Sequence, residues 1–205
     1  QPGARWDNSK LTEVLCIYHK DCNDGMSSVF VLTNALGVKV SEVHSQGDPI
    51  QLSYEERRVT FTPFAAEHNT QPGSQVVQNW KNLCEQHYRE RLPQNQYGME
   101  TVVYILDFSY KKEEIQKISE MVDHLVVIDH HVAKDGRHTN LPEGSPYLIF
   151  DVEKCGALLT HEYCQAGPEI KTLMRYADDR DRWVFQLPFT HEINAQLHSI
   201  KRTFR

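Results

Sequence analysis

The chain has 205 residues, 40% of them hydrophobic and 24% charged, with 28 acidic against 22 basic side chains for a net charge of −6. This is ordinary globular usage with enough apolar surface for one sizeable core, which excludes disorder and fibrous repeats. No apolar run approaches the roughly 20 residues of a membrane span, and long duplex nucleic acid, which needs many phosphate-neutralising Lys and Arg, is excluded as a partner. The cysteines at 16, 22, 84, 155 and 164 form an odd set with no CxxC pair. They read as free thiols in a reducing compartment, which predicts a cytoplasmic protein.

Residues 1–12 are a polar lead-in without the charged-then-apolar pattern of a signal segment. Residues 14–18 (VLCIY) form a strand that stops at the polar cluster 19–24. Met26, Val29, Phe30 and Leu36 then recur at helical spacing, with Gly37 as the stop. Residues 38–43 (VKVSEV) alternate as a second strand would, giving a β-α-β unit. The stretch 45–98 breaks the pattern with Pro49, Pro63, Pro72 and Pro93, one short strand near 59–61 and one helix near 76–89. It is too long for a plain connection and reads as an inserted subdomain or lid, with Arg57, Arg58 and several aromatics as substrate-facing candidates. The regular alternation resumes with strand 101–106, helix 112–121 and strand 125–128. A weaker strand at 147–150 and helices near 156–165 and 169–177 follow. The whole predicts a single α/β domain over 1–205, doubly wound around a mainly parallel sheet, with ligands beyond the carboxyl ends of the strands.

Three of these strands run straight into acidic or imidazole side chains. The first ends in His19-Lys20-Asp21-Cys22-Asn23-Asp24-Gly25, the 101–106 strand in Asp107, and the 125–128 strand in Asp129-His130-His131. In a parallel sheet these ends share one edge, so the groups converge in space. Carboxylates and imidazoles so gathered cannot all ionise cheaply without a cation. A mixed Asp and His set suits Mn²⁺, Mg²⁺ or Co²⁺ better than structural zinc. A lone Asp after a strand is common; adjacent imidazoles after Val-Val-Ile are not, and three such ends together point to a site.

The segments IYHKDCNDGMSS, VYILDFSY, VVIDHHV and YADDRDRW, in this order, resemble the motifs of the DHH phosphoesterase superfamily, nearest its oligoribonuclease or cyclic-nucleotide phosphodiesterase-like branch. The resemblance covers about residues 14–44 and 101–198 and leaves 45–98 unexplained. It implies two divalent ions, usually Mn²⁺, that activate a water to attack phosphorus. It implies that Asp107 bridges both ions, that His19 and Asp21 hold the first, and that Asp24 and His130 hold the second with an aspartate of the fourth motif. It further implies that His131 faces the scissile phosphate and that Asp129 supports the histidine pair. Two features depart from the pattern. Cys22 and Asn23 separate Asp21 from Asp24, so either the turn is longer or Asp21 is not a ligand. Asp178, Asp179 and Asp181 compete for the fourth-motif role, and DRDxW points to Asp179.

Arg180 and Arg182 are candidates to hold phosphate oxygens, or to pair with the aspartates beside them. Trp183 can stack on a base or belong to the core, and His138 belongs to a basic loop beside the site or to a solvated one. The expected activity is phosphodiester cleavage on a short oligonucleotide or cyclic (di)nucleotide, with Asp107, Asp129 and His131 at the chemistry. The alternatives are a pyrophosphatase or polyphosphatase, and a nucleotide-binding regulatory module on the same fold. The resemblance also implies a second, substrate-gripping domain that this stretch does not contain, which leaves a homo-oligomer open.

Overall fold

The computed structural model describes residues 11–37, 59–67, 71–91 and 98–199. Among them five strands form one all-parallel sheet in the order β2-β1-β3-β4-β5, flanked by six helices. In chain order these are β1 (Leu11–His19), α1 (Asn23–Ala35), β2 (Val59–Ala66), α2 (Gly73–Arg91), β3 (Met99–Leu106) and α3 (Lys112–Met121). There follow β4 (His124–Asp129), β5 (Leu148–Phe150), α4 (Gly156–Cys164), α5 (Pro168–Asp181) and α6 (Thr190–Ser199). No helix among the described residues is long and apolar enough to cross a membrane.

β1 and β3 are apolar nearly throughout because helices cover both faces of the sheet, as a parallel arrangement requires. Their side chains alternate between two cores. Val14, Cys16, Tyr18, Val102, Tyr104 and Leu106 face Val29, Leu32 and Leu159 of α1 and α4. Leu15, Ile17, Val103 and Ile105 face Val76, Val77 and Trp80 of α2 and Ile115 and Ile118 of α3. Behind α1 a third cluster joins Val31 to Ala157, Met174 and Ala177 of α4 and α5. α1 ends as its sequence predicts: the Gly37 N–H closes on the Asn34 carbonyl at 3.0 Å with φ +71.

The expected strand at 38–43 lies outside the described residues, as do Arg57 and Arg58. The described parts of 45–98 do not form a separate unit. β2 pairs with β1 along its length as the sheet's edge, where Pro63 can lack an N–H. α2 packs on the sheet, and its first turn is bound to α3, since Glu114 accepts from the Ser74 N–H (3.1 Å) and hydroxyl (2.7 Å). Phe61 and Trp80 are core residues. α5 also runs four residues beyond its expected end and contains the DDRD segment, and α6 follows where no helix was expected.

The strand order has a functional consequence. From β1 the chain crosses to one neighbour, and from β3 to the other, so the segments leaving these adjacent strands pass over opposite faces. The crevice between them is the ligand position in open α/β sheets. Trp80→Ala removes the largest side chain that fastens α2 to the sheet, so we expect urea denaturation to show the whole domain less stable by about 3–5 kcal/mol. A separately folded 45–98 unit would leave the main transition unmoved.

Candidate metal centre

His19 closes β1, Asp107 follows β3, and Asp129 closes β4, so the three expected strand ends do meet at the crevice. His19 Nδ1 lies 3.5 Å from Asp107 Oδ2, and His130 Nε2 lies 3.2 Å from Asp107 Oδ1. His130 Nε2 is also 3.5 Å from Asp24 Oδ2 and 3.4 Å from Asp181 Oδ2. Three overlapping sets result: His19, Cys22 and Asp107; Asp107, His130 and His131; Asp24, His130 and Asp181. Within each set, one ligand atom per residue lies within 4.8 Å of the others. Asp107 sits at φ +62, a left-handed conformation that Asp tolerates better than most residues. Two glycines permit the convergence. A Cβ on Gly25 would stand 2.5 Å from the His19 carbonyl, and one on Gly156 would stand 3.0 Å from Asp107 Cβ and 3.1 Å from Asp24 Oδ2.

Asp24 holds the fold and faces the cluster at once. Its carboxylate accepts from the Gly156 N–H (2.6 Å) and the Ala157 N–H (2.7 Å), capping α4, whose own N-cap residue Cys155 supplies no side-chain bond. Burial first, and then the charges of Asp107 and Asp181, push the Asp24 carboxyl well above its ordinary range. Burial also opposes ionisation of Asp107, but His130 and His19 outweigh it and hold that group low. Both Asp107 oxygens and His130 Nε2 are buried without a hydrogen-bond partner among the described residues. Orphaned acceptors on a fully buried carboxylate are costly. A cation among the three sets would satisfy them, so the residues present fit a divalent metal.

Asp129 lies behind the cluster and orients it. Its Oδ1 accepts from the His130 N–H (2.8 Å) and the His131 N–H (3.3 Å), and lies 2.7 Å from His131 Nδ1. Its Oδ2 lies 2.9 Å from His138 Nε2. His138 Nδ1 accepts the backbone N–H groups of Leu141 (2.8 Å) and Asn140 (3.2 Å), so its proton is on Nε2 and is donated to Asp129. His138 is thus a buried support, not a member of a solvated basic loop. The Asp129 hydrogen bond, against the effect of burial, pushes His131 up to about 9, with the charges of Asp129, Asp107 and Asp181 adding to it.

Several expected residues stand elsewhere. Asp21 is exposed on the turn at φ +55 and outside all three ligand sets; Cys22 takes the position beside His19 and Asp107. Asp179 is an anchor for the α5–α6 loop, accepting the Gln186 N–H (2.8 Å), the Leu187 N–H (3.1 Å) and the Thr190 hydroxyl. Asp178 caps α4 at the Cys155 N–H (2.7 Å), and Asp181 is the fourth-motif residue that reaches the cluster. The helical period contained the signal: Met174, Ala177, Asp178 and Asp181 share one stripe of α5 at i, i+3, i+4 and i+7. Arg182 pairs with Asp178 through two bonds of 2.8 Å, with Glu153 3.7 Å away, which is the pairing with a neighbouring aspartate that the sequence offered as its alternative role. Arg180 lies over the Trp183 ring, 4.6 Å from its centroid.

Beside His131 opens a cleft of about 530 Å³. Phe108 and Tyr110, in edge-to-face contact at 5.1 Å, line it with Lys111, Gln71, Thr139 and Asn140. The Asn140 amide donates to the Ser109 carbonyl at 2.6 Å, which fixes that side chain.

No family model matches the chain. A stretch of 90 residues, 44% of the chain, is 31% identical to the Uncharacterized protein R106 of Acanthamoeba polyphaga mimivirus, and this spans only 21% of the viral protein. Among solved structures, an uncharacterized protein from Helicobacter pylori G27 is similar at a TM-score of 0.53 and 13% identity, over 85% of this chain and 44% of that one. At that identity the likeness shows the shared α/β fold. A fungal RNA kinase matches at a TM-score of 0.37 and 11% identity, over 94% of this chain and 99% of that one.

Two outcomes follow from this geometry. Asp181→Asn is expected to weaken Mn²⁺ binding in calorimetry by at least the roughly 10- to 100-fold typical of losing a supporting partner. Asp179→Ala is expected to leave Mn²⁺ affinity unchanged and lower folding stability by about 1–3 kcal/mol, because buried donors lose their acceptor. Separately, Asp129→Asn removes the carboxylate that favours the His131 cation. In EDTA the His131 titration followed by NMR should therefore fall from about 9 toward the ordinary histidine value near ~6.5, and the neutral ring should dominate at neutral pH.

Proposed function

We propose that this chain is a divalent-metal phosphoesterase of the DHH kind, hydrolysing the phosphodiester of a small nucleotide. The observation that carries the reading is the Asp107 carboxylate, buried to 1% exposure, orphaned at both oxygens, and flanked by His19 on one side and His130 on the other. His19 and Cys22 would hold one ion with Asp107, and Asp24, His130 and Asp181 a second. The Asp and His donors of the second set favour Mn²⁺, with Mg²⁺ and Co²⁺ able to substitute, whereas a Cys22 thiolate in the first set would suit Zn²⁺ better. When bound, the ions supply Lewis acidity, activating water and neutralising phosphate charge.

The chain's own residues account for the rest. Asp129 holds His131 by Nδ1 and favours its protonated form, which would suit the ring to hold a phosphate oxygen or to protonate the leaving group. The cleft beside it would take the organic part of the substrate, with Phe108 and Tyr110 as its apolar side, Lys111 toward the phosphate, and Asn140 reading polar edges. An organic cleft of this size favours a nucleotide over bare pyrophosphate or polyphosphate. Five free thiols accord with a reducing, cytoplasmic setting. The proposed partners are thus a small phosphorylated substrate and divalent ions, without long duplex nucleic acid or membrane.

A second reading, a nucleotide-binding module without turnover, has one observation in its favour: a thiol, Cys22, stands where the motif calls for the Asp21 carboxylate. Activity separates the two. With Mn²⁺, the chain is expected to hydrolyse a dinucleotide or an aryl phosphodiester, and Asp107→Asn to lose several orders of magnitude in rate while circular dichroism stays unchanged. Nucleotide binding without hydrolysis of any phosphodiester would sink the enzymatic reading.

A further inference from the structure

The loop between α5 and α6 carries three aromatic residues in left-handed backbone conformations: Trp183 (φ +57), Phe185 (φ +51) and Phe189 (φ +63). Bulky side chains rarely adopt that region, and such outliers persist only where the surroundings over-determine them. Here the surroundings are Asp179. Its carbonyl accepts the Val184 N–H (3.0 Å) and the Phe185 N–H (3.2 Å), while its carboxylate accepts the Gln186 and Leu187 amides and the Thr190 hydroxyl. The Trp183 N–H closes on the Arg180 carbonyl at 3.2 Å. A buried acid thus holds a strained loop around itself, yet the loop does not serve to bury its Trp. Trp183 is 71% exposed.

The ring is exposed but not loose. Arg180 places its guanidinium 4.6 Å from the ring centroid, and Phe185 meets it edge-to-face at 5.4 Å and 82°. Phe185 is in turn stacked on His191 at 4.3 Å and 11°. An aromatic plane mounted on an aromatic base, with a cation over it, can accept a second flat π system at low cost in side-chain entropy. Its position matters as much as its mounting. Trp183 is two residues from Asp181, which covalent geometry limits to about 7 Å between Cα atoms, and the Asp181 carboxylate is a member of the candidate metal cluster. The loop leaves α5, which packs against α1 and α4, and none of its residues lines the cleft beside His131. The platform is therefore a second recognition surface, separate from the cleft.

We propose that Trp183, held by Arg180 and Phe185, is the stacking platform for a nucleobase whose phosphate lies on the Asp107–His130–Asp181 cluster. The placement of that phosphate rests on the phosphoesterase reading; the stacking surface stands on its own geometry. Asp179 is the positioning residue that shapes the loop.

The test uses the full chain with Mn²⁺ and two probes, adenosine monophosphate and inorganic phosphate. Adenosine monophosphate should quench the wild-type tryptophan emission while phosphate should not, and Trp183→Phe should abolish the quenching. In calorimetry, Trp183→Ala should weaken adenosine monophosphate by about 10- to 100-fold, as loss of one stacked base does, leave phosphate affinity unchanged, and be largely rescued in Trp183→Phe. Equal weakening of both probes, unchanged nucleotide affinity, or no nucleotide binding by the wild type would each overturn the proposal. Quenching that persists in a chain hydrolysing no phosphodiester would retire the enzymatic reading and leave the platform in place.

Discussion

A carboxylate taken out of water must be matched by donors or a cation, and at Asp24 this requirement organises the molecule. Its two oxygens accept the first amides of a helix 132 residues further along the chain, and one of them also faces His130. That single group therefore fixes α1 against α4 and both against the end of β4. Asp178 repeats the device at Cys155, from α5. Helix N-termini favour negative charge, so the caps stabilise the fold. They also spend part of each acid's bonding capacity before any ligand arrives, leaving Asp107 and Asp181 as the more open donors.

Backbone approach is the companion constraint. The end of β1, the start of α1 and the start of α4 come close enough that a single methyl group at Gly25 or Gly156 would collide with them. The left-handed turn at Asp107 completes the arrangement, since the residue leaves a buried strand and ends among the ligand set. Local strain, tight glycines and unsatisfied carboxylate oxygens coincide at one place, the crevice where the connections from β1 and β3 part. Such coincidence marks functional sites because stability alone would have removed each of these features.

The electrostatics divide into a core and a support. Within the core, Asp24 is pushed up and Asp107 down, the behaviour of two acids too close to ionise independently. Behind it, Asp129 is held low by His131 and His138 against the effect of its burial, and so remains an anion that keeps His131 protonated. Both oxygens of Asp129 and both ring nitrogens of His138 are hydrogen-bonded, whereas the Asp107 oxygens are not, which is the distribution expected where a cation belongs to the core.

The strands β1, β3 and β4, the helices α1, α3 and α4, and the gathering of His19, Asp107, His130 and His131 were legible in the sequence. Buried parallel strands read as apolar runs, and polar side chains stacked at their ends have few places to go but the common edge of the sheet. Helical period and a closing glycine marked α1 for the same local reason. What depended on tertiary structure was of another kind. β2 and α2 joined the main sheet because an edge position tolerates Pro63 and because Trp80 fills the space beneath α2, neither of which a window of residues reveals. Asp21 and Cys22 exchange places through one left-handed residue, and Asp179 and Asp181 through how far α5 continues. Neighbours in a chain point in different directions once the backbone is set, so the residue types of a site can be read in sequence while the choice between adjacent acids belongs to the fold.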